Sequence, residues 1–100
     1  MGTIVIEEHD RSGLNDNTYT PVYNLSKLLA RTADATTSTT AESLALNTAT
    51  SILRIYTDVA HRIGLSSAST NNGGVYFTTA AGWNDLAVTD GNTIYYRTDA

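Results

Sequence analysis

The sequence predicts an all-β fold: a small antiparallel β-sandwich, jelly-roll-like, with an extended N-terminal arm. Three observations carry this expectation. Short runs of β-branched and aromatic residues recur about every 8–12 residues, divided by Gly, Asn, Asp and Ser clusters. No βαβ rhythm and no internal repeat interrupt them. The composition is 41% hydrophobic and only 16% charged, with 17 threonines, 8 serines and 8 asparagines in 100 residues. That apolar content suits one small core, and a third of the chain is small and polar.

The elements follow in order. Residues 3–8, TIVIEE, read as a short strand. His9 to Pro21 is rich in turn formers and holds the only proline. Residues 22–31, VYNLSKLLAR, carry apolar residues without a long pattern. Residues 1–30 therefore read as an arm and 31–100 as the sandwich domain. Ile4, Val5, Ile6, Val22, Tyr23, Leu25, Leu28 and Leu29 are the arm's apolar residues and must pack on the local core or on a neighbouring subunit.

Two readings stay open for 32–51. TTSTT favours extended backbone, because β-branched side chains are stiff at χ1. Thr39 and Glu42 also have capping-box spacing, which suits a short helix. Segment 51–65, SILRIYTDVAHRIGL, is the strongest strand signal. Leu53, Ile55 and Thr57 alternate with Ile52, Arg54 and Tyr56. Beyond Asp58, Val59, His61 and Ile63 alternate with Ala60 and Arg62, so both arginines are expected on polar faces. Residues 66–74 read as a flexible turn region, 75–80 as a strand and 81–83 as a bend. Residues 84–90 and 93–99 read as two strands of a hairpin turning at Asp90-Gly91-Asn92.

The net charge is −4, and the six basic residues are scattered. No cluster resembles a phosphate-binding stripe, which disfavours nucleic acid and anionic membranes as partners. With no cysteine, disulfides and thiolate metal sites are excluded. MGTIVIEEHDR does not have the form of a secretion signal, and no apolar run approaches the ~20 residues of a membrane span.

Catalytic chemistry finds no constellation. His9 with Glu7, Glu8 and Asp10 is the one cluster of possible metal ligands, but a strand divides it between two faces, so a solvated edge is expected. His61 shares a face with Val59 and Ile63 and reads as packed. There is no G-x-S-x-G elbow. Asn72-Gly73-Gly74 lacks the lysine of a phosphate loop, and Asp85, Asp90 and Asn92 do not follow a calcium loop. We therefore expect no enzyme, no metal and no cofactor. Tyr76, Trp83 and Tyr95 stand out as aromatics in an Asn/Thr-rich context, suited to surface recognition of a sugar or a protein. Adjacent Tyr95 and Tyr96 must point to opposite faces of a strand.

Residues 48–65, TATSILRIYTDVAHRIGL, resemble a stretch of small structural proteins of tailed bacteriophages. In that group a Thr/Ala/Ser-rich run leads into a strand like Leu53-Arg54-Ile55-Tyr56-Thr57-Asp58. A second strand like Ala60-His61-Arg62-Ile63-Gly64 follows, then an exposed loop, a strand and a final hairpin. The resemblance covers about residues 32–99. It departs at Gly74-Val75-Tyr76-Phe77, where the related stretch often carries Leu-Pro-Ala.

The resemblance implies a decoration, cement or staple protein on the capsid surface of a virion. The implied partners are the major capsid protein and further copies of the chain, as a dimer or trimer. The apolar arm residues named above are then the expected contacts. The alternative is a head-fibre or tail-associated adhesion module that binds host-surface glycans through Tyr76, Trp83 and Tyr95.

Overall fold

The computed structural model describes residues 1–10, 27–89 and 92–99. Among them are eight strands: β1 (Gly2–Asp10), β2 (Leu28–Thr37), β3 (Glu42–Ala45), β4 (Thr50–Thr57), β5 (His61–Gly64), β6 (Phe77–Thr78), β7 (Gly82–Ala87) and β8 (Thr93–Thr98). One short 3-10 turn, Ala68–Thr70, precedes β6. Sheet A has the order β2-β1-β4-β7 and sheet B the order β3-β8-β5-β6, with all pairs antiparallel. The expected small antiparallel β-sandwich is the observed fold. The capping-box alternative is not used, and Glu42 opens β3 opposite Tyr96.

The pairings describe one rolled hairpin. β5 pairs with β6, β4 with β7 and β3 with β8. The next rung would join β2 to a strand following β8. β1 fills that place, between β2 and β4. Two four-stranded sheets rolled in this way make a jelly roll with its closing strand drawn from the front of the chain.

The core lies between the sheets. Ile4 and Ile6 of β1, Leu53 and Ile55 of β4, Ile63 of β5, and Ile94 and Tyr96 of β8 are buried there with Leu46. Strand alternation brings every second residue inward, as the burial patterns of β1, β4 and β8 record. One end of the core is polar and internally paired. Thr57 Oγ1 lies 3.0 Å from Thr79 Oγ1, and the His61 backbone N–H donates to Thr79 Oγ1 at 2.9 Å. The fully buried His61 ring spans 2.7 Å to the Val59 carbonyl through Nδ1 and 2.7 Å to Thr37 Oγ1 through Nε2. A carbonyl only accepts, so these partners assign the proton to Nδ1 and let Nε2 accept from Thr37.

Four expectations are corrected. Residues 2–10 are no arm but an inner strand, because their Ile-x-Ile-x-Glu alternation matches a slot with neighbours on both sides. Ile4 and Ile6, expected as partner contacts, are 1% and 0% exposed and belong to the core. Residues 84–90 and 93–99 do not pair: β7 lies in sheet A and β8 in sheet B, so the chain crosses between sheets there. Arg62 is not on a solvated face. It is covered by the 65–76 segment and donates to Asp99 Oδ1 at 2.6 Å and the Thr70 carbonyl at 2.9 Å. Val22, Tyr23 and Leu25 lie outside the described residues.

Two outcomes follow. Removal of residues 1–10 abolishes the cooperative thermal transition, because it strips the inner strand of sheet A. Ile6→Ala lowers unfolding free energy by about 2–5 kcal/mol, measurable by urea denaturation.

Candidate functional site

The outer surfaces of the two sheets differ. Sheet B turns Arg62 and Arg97 outward as a cross-strand pair, but the chain's own 65–76 segment folds over part of it. Tyr76 sits on the Arg62 guanidinium at 4.6 Å. The outer surface of sheet A carries two ordered rows instead. Arg31, Glu7, Arg54 and Asp85 stand opposite one another across β2, β1, β4 and β7. Ala33, Val5, Tyr56 and Trp83 form the adjacent row across the same strands.

The charged row alternates in sign. Glu7 is set between Arg31 at 3.9 Å and Arg54 at 3.7 Å, and its Oε1 lies 3.5 Å from His9 Nε2. Alternating charge makes the row nearly neutral and favours a partner with complementary polar groups over a highly charged polymer. The apolar row ends in an aromatic cluster. Trp83 is 48% exposed. The Arg54 guanidinium lies 4.2 Å from the centroid of its ring, and the Tyr56 ring stands 5.5 Å away, tilted by 60°. Arg over an indole face is an electrostatic contact between a cation and the ring quadrupole.

Local sequence places Trp83. Gly82 adopts φ +104, a conformation that L side chains rarely take. The Asn84 side chain closes the turn before it, accepting from Ala80 N–H at 3.1 Å and donating to the Ala80 carbonyl at 2.8 Å. Residue 83 then points outward beside Tyr56.

The other expected site residues scatter. Val5 lies half-buried on the outer surface of sheet A; Leu28 and Leu29 are half-buried on edge strand β2. Tyr95 is half-buried on β8, on the opposite sheet from Trp83, while its neighbour Tyr96 is buried. Tyr76, Trp83 and Tyr95 therefore do not share a surface. His9 and Glu8 are buried rather than solvated. Glu8 accepts from Asn47 N–H at 2.7 Å and Thr50 Oγ1 at 2.8 Å, tying β1 to the β3–β4 connection. No group of three or more His, Cys, Asp and Glu suited to a metal ion occurs among the described residues. Sequence reading missed Arg54 and Tyr56 as site residues. Their outward alternation was visible, but not the register that sets them beside Trp83. A separate apolar groove of about 380 Å³ opens between the sheets near β6 and β7, with Leu65, Val75 and Phe77 at its surface.

At the opposite edge a carboxyl cluster links the sheets. Asp34 of β2 is lowered to about 2, chiefly by its hydrogen bond with Glu42 and then by the Thr36 backbone N–H at 2.9 Å. Glu42 of β3 is raised, chiefly by the same bond to Asp34. The Tyr96 hydroxyl donates to Asp34 Oδ2 at 3.1 Å, and burial together with that bond raises it strongly.

Comparison with protein-family models, curated proteins and solved structures finds no match for this chain.

Two outcomes follow. Arg54→Met retains the fold but shifts the emission of the only tryptophan and increases its quenching by acrylamide. The second concerns pH. Asp34 stabilises the fold fully above its ordinary value of 3.8, and this is lost as pH falls toward about 2. Glu42 stabilises it below its ordinary value of 4.5, and this is lost as pH rises through its raised folded value. The pair contributes most near pH 4. Glu42→Gln keeps a donor toward Asp34 without the second charge, so thermal melts show it about 2 °C more stable than the parent at pH 7. That difference disappears near pH 4.

Proposed function

We propose that this chain is a structural virion protein that binds the outside of a phage capsid and bridges capsomers through the outer surface of sheet A. The observation that carries the reading is exposed Trp83, clustered with Arg54 and Tyr56 on the outer surface of sheet A beside a charged row of alternating sign. Trp, Tyr and Arg are the residues that most often dominate protein–protein binding energy. The resemblance of residues 32–99 to phage decoration and cement proteins supplies the partner, a major capsid protein.

The mechanism is multivalent clamping. A subunit seated across two capsomers makes their separation cost its own binding free energy. Repetition over the shell and association of copies multiply a modest single-site affinity. Glu7, Arg31, Arg54 and Asp85 set register and exclude mismatched partners, while Trp83 and Tyr56 supply desolvated contact.

Adhesion to host glycans is the second reading, and Trp83 is the residue that favours it. Its ring already carries Arg54 on one face and Tyr56 at its side. Stacking on a sugar would have to use the remaining face without help from Tyr76 or Tyr95.

Co-sedimentation with mature heads that lack the protein tests the proposal. The expected result is saturable pelleting at a fixed copy number, weakened at least tenfold by Trp83→Ala or by Arg54→Glu, with the melting transition retained. Absence of pelleting by the folded parent overturns it, and selective retention on a glycan array then favours adhesion.

A further inference from the structure

The order of the strands carries a consequence for how copies of this chain associate. The rolled hairpin β5–β6, β4–β7, β3–β8 assigns the slot beside β2 to a strand following β8. β1 fills it from the other side of the sequence. Where β1 begins, Met1 lines one depression with Thr98 and Asp99, at the end of β8. The tie from β1 to β2 is residues 11–27, seventeen in all, where an ordinary hairpin connection has about 2–5. Fully extended, such a tie reaches roughly 55–60 Å. The molecule's longest dimension is 37 Å. The tie is therefore long enough to place β1 in its own sheet or in that of a neighbour.

The slot is selective. Its inward positions receive Ile4 and Ile6, which are 1% and 0% exposed. Its third inward position needs a carboxylate for Asn47 N–H and Thr50 Oγ1. Its outward side needs an acid between Arg31 and Arg54. A strand that meets all of these requirements is β1 of a second copy.

We propose that β1 is an exchangeable strand, and that in assemblies of this chain β1 of one copy closes sheet A of another. The closed and exchanged forms share the same strand pairings, so concentration decides between them. A covalent tie of seventeen residues holds β1 near its own slot at an effective concentration of the order of millimolar. Exchange becomes competitive when copies are crowded to that level, as they are side by side on a surface.

The test uses full-length chains, which contain no native cysteine. Val5 and Ala33 face one another across β1 and β2 on the outer surface. The double variant Val5→Cys/Ala33→Cys, refolded dilute and oxidised, closes a disulfide within one chain. Equimolar Val5→Cys and Ala33→Cys single variants are then unfolded together, refolded at about 1 mM and at about 1 µM, and oxidised. The expected product is a mixed covalent dimer, at least tenfold more abundant at the higher concentration. The proposal is overturned by no mixed dimer at about 1 mM while the double variant closes. It is also overturned if either single variant alone dimerises as readily as the mixture, or if the double variant fails to close.

Discussion

The insertion of β1 between β2 and β4 is the contact on which the rest depends. A strand with neighbours on both sides satisfies its backbone donors and acceptors in both directions, and an edge strand does so in one. Here the inner strand also supplies Ile4 and Ile6 to the core and Glu8 to the β3–β4 connection. Without it β2 has no neighbour in sheet A, and the inward face of β4 loses its cover on one side. The outer face depends on the same strand, since Val5 and Glu7 join Ala33 and Arg31 to the Tyr56 and Arg54 rows.

A second constraint explains the unusual composition. A chain of this length closes two sheets over one modest core, and the positions at one end are filled by threonine and histidine instead of aliphatic residues. The hydroxyls buried there are paired, Thr37 with His61 and Thr57 with Thr79 and the Ala80 carbonyl, and at the other end of β4 Thr50 donates to Glu8. A buried polar group without a partner is costly. A paired one is tolerated, and its directionality favours a single arrangement of the sheets over sliding alternatives. Arg62 belongs to the same logic. Its charge is brought under the 65–76 segment only with Asp99, the Thr70 carbonyl and the Tyr76 ring in place.

Much of the sandwich was legible. The alternation in Leu53, Ile55 and Thr57 against Ile52, Arg54 and Tyr56 is a local signal, and β4 follows it residue by residue. The opposed faces of Tyr95 and Tyr96 were equally local. What escaped depends on pairing between distant segments. Asp90-Gly91-Asn92 has hairpin vocabulary, yet such a turn says nothing about whether the flanking strands pair or part into different sheets. The turn-rich text after Asp10 made β1 look detached, although its Ile-x-Ile pattern suited an inner strand. Arg62 resembles Arg54 in sequence, and only the fold-back of residues 65–76 separates their fates. Trp83 was visible as an exposed aromatic. Its partnership with Tyr56 and Arg54 required the β4–β7 register.

The rolled order also sets a timetable for biosynthesis. Synthesis completes β1 well before its second neighbour, β4, which begins at Thr50. Sheet B waits longer still, because β3 and β5 both pair with β8, the last of the described strands. Nearly every stabilising pairing joins segments far apart in sequence, a topology that folds slowly. The Ile-rich strand β1 therefore keeps one side unpaired until β4 has been made. Until β4 is made, β1 has β2 on one side only, and an open strand edge is a template for pairing with another chain.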